Sequence, residues 1–137
     1  MELNYKVKIN GTRDQIWKYY AKVENWKLWD NGLEEISIEG DFTNETNGIM
    51  KMKELPPLSF QLSKVLEKEK FSNFSITPMG TIYFGHDIFE ENGELYIRHS
   101  VSLQTEQENL KSLGILNNIF SNVPDAMMKL KELVENE

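Results

Sequence analysis

His86 and His99 are the only two histidines in this 137-residue chain, and they alone combine chemical versatility with places inside an apolar pattern. Imidazole titrates near neutral pH and offers one donor and one acceptor when uncharged. Such a pair could shuttle a proton, or hydrogen-bond a carbonyl or phenol, as the acid and base of a catalytic site. The competing reading is structural: the two rings bond each other and a nearby Tyr or Ser, which only satisfies buried polar atoms. The chain has no cysteine, which removes disulfides, thiol catalysis and thiolate metal sites together. Zinc would need a carboxylate ligand from another strand, and no spacing supplies one. No phosphate-binding glycine loop, nucleophile elbow or paired-carboxylate motif is present, and no cofactor is implied.

The stretch Ile82 to Leu103, IYFGHDIFEENGELYIRHSVSL, must bring the histidines together. Two alternating apolar runs flank Asn92-Gly93, residues that accept the positive φ angles of a two-residue type I′ turn, so a tight hairpin is expected. Counting back from Glu91 and Glu94 pairs Ile88 with Ile97, Asp87 with Arg98, His86 with His99 and Phe84 with Val101. One face then carries Ile82, Phe84, Ile88, Ile97, Val101 and Leu103 together with both histidines. The other carries Asp87 opposite Arg98, an outward ion pair of small value. His86 and His99 fall at a non-hydrogen-bonded pair, where side chains approach more closely. A one-residue slip would expose the whole apolar set, so burial defends the register.

Composition narrows the function classes. The length suits a single domain spanning 1–137, with 39% hydrophobic and 27% charged residues as in ordinary globular chains. A formal net charge of −7 argues against nucleic acid and against anionic membrane surfaces as partners. The N-terminal segment MELNYKVKIN lacks a continuous apolar core, and no run is long enough for a membrane span, so a cytoplasmic protein is expected. The acidic runs at Glu90-Glu91, Glu106 to Glu108 and Glu132 to Glu137 read as solvated surface.

Before the hairpin, Leu3, Tyr5, Val7 and Ile9 alternate as in a strand with one buried face. Thr12 and Gln15 form a capping box, and Ile16, Tyr20 and Val23 recur at helical spacing. Trp26 and Trp29 follow, three apart, as packing for the sheet or as a surface for a ligand. Ile36 and Ile38, Met50 and Met52, Leu58 to Leu62, and Phe74 and Ile76 then mark short strands of an antiparallel meander. Val65 falls out of phase with Phe60 and Leu62, which predicts a bulge or an exposed strand end. From Glu108 onward Leu116, Ile119, Phe120, Val123, Met127, Leu130 and Val134 form the stripe of a long amphipathic helix. Pro124 either kinks that helix or starts a new one, with Asn122 as its cap.

These elements predict an α+β fold: a curved antiparallel sheet wrapped around a long C-terminal helix, with two short helices after the first strand. The space between sheet and helix is either a filled core or a cavity, for which Met50, Met52, Met79, Met127 and Met128 would make an adaptable wall. The chain resembles the START-like (SRPBCC) superfamily of the helix-grip fold, in particular its polyketide cyclase/dehydrase and lipid-transport-like group. The resemblance rests on Val23-Glu24-Asn25-Trp26 with Trp29-Asp30, on Gly48-Ile49-Met50-Lys51, and on Gly80 and Phe84-Gly85-His86. Arg98-His99-Ser100-Val101 and the run Pro124 to Leu133 complete it.

That resemblance implies a pocket between sheet and C-terminal helix, opening near the kink, and no single chemistry. The expected lining is Phe84, Ile88, Ile97, Val101, Met50 and Met52, with Phe60, Phe74, Phe120 and Met127. Three functions stand open. The first is binding of a hydrophobic small molecule, lipid-like or aromatic; the second is a cyclase/dehydrase-like enzyme using His86 and His99 as acid and base. The third is an adaptor that binds a protein through its acidic surface. The oligomeric state is not legible.

Overall fold

Asn92 and Gly93 adopt φ values of 55° and 78° in the computed structural model, which describes residues 1–137. That turn sets the expected register between β6 (Gly80–Glu91) and β7 (Glu94–Gln104), with Glu91 opposite Glu94, Asp87 opposite Arg98 and His86 opposite His99. The remaining strands are β1 (Glu2–Lys8), β2 (Leu33–Ile38), β3 (Asn47–Met52), β4 (Leu58–Leu66) and β5 (Lys70–Thr77). They form one antiparallel sheet in the order β1-β7-β6-β5-β4-β3-β2. The register of β4 against β5 shifts between Leu62 and Lys64, which is the bulge that the phase of Val65 predicts.

Helices cover the inner face. Thr12 caps α1 (Arg13–Ala21) in a complete capping box with Gln15, and α1 buries Ile16, Trp17, Tyr19 and Tyr20. A short 3-10 turn, Val23–Asn25, leads into α2 (Trp26–Trp29). The C-terminal segment is interrupted at Ser121-Asn122 into α3 (Leu110–Phe120) and α4 (Val123–Glu135), and Pro124 occupies the first turn of the new helix. Asn122 stands at the cap position, but its side chain does not cap α4. It donates instead to Asp30 Oδ1 at 3.2 Å.

The interior is divided. A large cluster joins the inner faces of α1, α2 and α4 to the sheet through Tyr20, Trp26, Trp29, Phe60, Phe71, Met127 and Leu130. A second cluster lies under α3 and consists of Ile82, Val101, Leu103 and Leu116.

Three expectations need correction. Phe74 and Ile76 lie on the convex face, because Phe71 opposes His86 and takes the inward position on β5. Period-two alternation then turns Asn73 and Ser75 inward, while Phe74 packs on Tyr83 outside at 5.6 Å. Met79 and Met128 are exposed, so only part of the methionine set faces the interior. Arg98 lies opposite Asp87 as expected, but its guanidinium sits over the Phe89 ring at 4.5 Å instead of pairing with the carboxylate.

Two glycines give a measurable contrast. At Gly80, φ is 132° and an added Cβ would lie 2.4 Å from the Gln104 carbonyl oxygen, whereas an added Cβ at Gly93 meets nothing within 4 Å. Gly93→Ala should therefore cost only the αL penalty, about 1 to 2 kcal/mol. Gly80→Ala adds a backbone clash and should cost about 3 kcal/mol or more. Urea midpoints for the two variants check the order, which reverses if the turn at Gly93 carries further constraints.

Candidate functional site

The two histidine rings meet on the concave face with centroids 4.6 Å apart, edge to face at 71°. Helical spacing in α1 puts Tyr20 directly over them. Its hydroxyl lies 2.7 Å from His99 Nε2, and the ring is fully enclosed. Phe71 stacks on His86 with centroids 4.0 Å apart and planes within 5°. His86 Nδ1 lies 3.3 Å from the Phe71 carbonyl oxygen, and since a carbonyl only accepts, His86 carries its proton on Nδ1.

Trp26 and Trp29 finish the enclosure. Trp29 packs at 5.6 Å from His99, and Trp26 stacks on Phe71 at 5.4 Å. Their indole N–H groups donate to the carbonyls of Tyr20 and Tyr19, at 2.8 and 3.1 Å. Those carbonyls belong to the last turn of α1, where no intrahelical donor remains, so the tryptophans close a helix end while they bury their rings. The direct cover of the histidines is thus α1 and α2, with α4 packed beside them.

Burial sets the protonation states. Desolvation holds His86 down to about 3, against a smaller opposing effect of its bond to the Phe71 carbonyl. His99 is held well below its usual value by burial first and by His86 second. Tyr20 is pushed well above the usual phenol range by burial, with Asp87 adding in the same direction, so it stays a neutral donor. Burial also raises the Asp30 carboxyl, partly offset by hydrogen bonds from Gly32 N–H and Asn122. No group of three or more His, Asp or Glu side chains gathers to hold a metal ion.

The expected lining residues are distributed over both clusters. Ile88, Ile97, Met50, Phe60 and Met127 are in the large cluster, with Met52 packed against it. Val101 is in the small one, with Phe84 and Phe120 at its margin. Phe74 is outside, on the convex face. Two inward polar residues were missed: Asn73 and Ser75 are almost fully buried, and Asn73 Oδ1 and Ser75 Oγ have no hydrogen-bond partner. The alternation Phe71-Asn73-Ser75 was the available signal, masked by the more hydrophobic phase of Phe74 and Ile76.

By sequence, the chain matches no protein-family model and no curated relative. By structure it has the helix-grip fold of START-like (SRPBCC) proteins. It is similar to Ara h 8.0201 with a TM-score of 0.77 at 12% identity, covering 100% of this chain and 99% of that one. Norcoclaurine synthase from Thalictrum flavum, solved in complex with dopamine and hydroxybenzaldehyde, gives 0.73 at 14%, covering 100% and 87%. The Aha1 dimer from Colwellia psychrerythraea gives 0.73 at 12%, covering 98% and 96%. At these identities the likeness is one of fold.

The lowered histidines predict a pH dependence of stability. Between the unfolded histidine value near 6.5 and the folded value of about 3, the unfolded chain binds a proton at His86 that the folded chain does not. Stability therefore falls as pH drops through 6.5, by about 1.4 kcal/mol per pH unit for each histidine that stays neutral. His86→Phe keeps the stack on Phe71 and should make the decline between pH 6 and pH 5 smaller by about 1 kcal/mol, the share carried by His86. Urea unfolding of both proteins at those two pH values checks this; parallel slopes would mean that His86 is protonated in the folded state.

Proposed function

We propose that the protein binds an apolar small molecule, lipid-like or aromatic, between the concave face of the sheet and α3. The observation that supports this is Tyr5. Its register partner is His99, which puts its side chain on the concave face, yet it is 40% exposed. An inward-facing side chain this exposed on an edge strand supports entry to the inner face beside β1.

The least anchored cover is α3. It buries only Ser112 and Leu116, and leaves Leu110 86% exposed. By contrast, α4 sends Met127, Leu130 and Val134 into the large cluster. A buried side chain of this size contributes about 1.5 to 3 kcal/mol, so α3 is much cheaper to displace than α4. The junction at Ser121-Asn122 gives the hinge, and the bond from Asn122 to Asp30 holds the α4 side of it in place. Norcoclaurine synthase carries small aromatic molecules on the same fold, which supports the reading by analogy.

The acid–base reading of His86 and His99 has the 2.7 Å contact between Tyr20 and His99 in its favour, a phenol placed to pass a proton. The histidines are covered by Tyr20, Trp26, Trp29 and Phe71, which are all anchored in the large cluster, so uncovering them costs more than displacing α3, and this favours binding under α3 over turnover at the rings.

A neutral naphthylamine fluorophore should bind the folded protein with one-to-one stoichiometry. Val123 packs against both apolar clusters, so Val123→Trp should weaken that binding about tenfold or more. Unchanged affinity in the variant would place the site elsewhere. Affinity in the wild type should also stay level between pH 8 and pH 6.5, because burial lowers both histidines from their usual value and neither gains a proton there. A break in the profile that His99→Gln abolishes would favour the acid–base reading.

A further inference from the structure

Asn73 and Ser75 sit side by side on the inner face of β5, 2% and 1% exposed. Asn73 faces Leu62 on β4 and Phe84 on β6, and Ser75 faces Ile82 on β6. Leu62 is in the large apolar cluster, while Ile82 is in the small cluster under α3 and Phe84 packs against that cluster's margin. The two polar side chains thus lie on the seam between the clusters. Asn73 Oδ1 and Ser75 Oγ have no hydrogen-bond partner there. An unpaired polar atom buried among aliphatic and aromatic carbon is costly, and native interiors satisfy nearly all such atoms. Two adjacent orphans at one seam are placed for a group supplied from outside.

The charge of that group follows from the surroundings. The buried residues of the chain include no Lys, Arg, Asp or Glu. Burial keeps both interior histidines neutral. A carboxylate or phosphate entering this interior would lose its hydration and meet no cation, and an ammonium would meet no anion. A hydroxyl matches both orphans at once, since its O–H can donate to Asn73 Oδ1 and its oxygen can accept from Ser75 Oγ–H.

We infer that the ligand is an uncharged apolar alcohol or phenol, whose hydroxyl is bound by Asn73 and Ser75 and whose hydrocarbon body lies against the cluster under α3. This rests on the binding reading given above and specifies its ligand class. Discrimination comes from the orphans: a molecule of equal size without the hydroxyl leaves both unpaired.

The test is displacement of the naphthylamine fluorophore by dodecanol, its methyl ether and dodecanoate. Dodecanol should compete about tenfold better than the ether, and dodecanoate should be the weakest at pH 8. Asn73→Leu removes the orphan acceptor and keeps the volume. It should abolish the preference for alcohol over ether while raising the thermal midpoint of the free protein, by about 3 °C. Ser75→Ala, a smaller change, should reduce the preference without lowering the midpoint. Equal competition by alcohol and ether in the wild type would overturn the inference and leave the binding reading intact. So would a lowered midpoint in both variants with the preference unchanged, since the two residues would then be structural. Absence of any fluorophore binding to the wild type would overturn the binding reading and this inference with it.

Discussion

The pairing of β6 with β7 is the constraint on which the other features depend. It is the longest ladder in the sheet, running from Thr81↔Gln104 to Glu91↔Glu94, and its phase is set by two residues with positive φ. Given that phase, His86 and His99 face inward together, and β5 and β1 inherit inward positions for Phe71 and Tyr5. A slip of one residue would expose Ile82, Ile88, Ile97, Val101 and Leu103, which are all buried. The turn and the buried side chains thus favour the same register.

Around that ladder the protein has built an interior whose polar groups are all uncharged. The indole N–H groups of Trp26 and Trp29 bond the carbonyls at the end of α1, and Tyr20 bonds His99. Each aromatic side chain therefore buries a large apolar surface and ends in a satisfied polar atom. Asn73 Oδ1 and Ser75 Oγ are the departures from this pattern, and they stand where the apolar packing changes from one cluster to the other.

Much of this was legible in the residues. The Asn92-Gly93 turn, the capping box at Thr12, the bulge before Val65 and the break at Pro124 are local signals, and each is found where the sequence puts it. What failed is non-local. Phe74 and Ile76 outrank Asn73 and Ser75 in hydrophobicity, so the phase of β5 reads backwards until its pairing with β6 is known. Asn122 has the residue type of a cap, and only the proximity of Asp30 diverts its side chain. Arg98 and Asp87 face each other across the strands, yet the neighbouring Phe89 ring takes the guanidinium. The contact of Tyr20 with His99 joins a helix to a distant strand, and no spacing rule reaches that far.

The sheet order also dictates the timetable of folding. β1 pairs only with β7, Glu2 opposite Ser102, so the first strand of the chain waits for the last one before its backbone groups find partners. The strands from β2 to β7, by contrast, each pair with a sequence neighbour and can zip as a meander. Closing the long loop between β1 and β7 carries the largest chain-entropy cost of any strand pairing in the sheet, and such contacts come late. Tyr5 is on that late strand. Unpairing of β1 from β7 would open the edge that borders the inner face without disturbing the meander from β2 to β7.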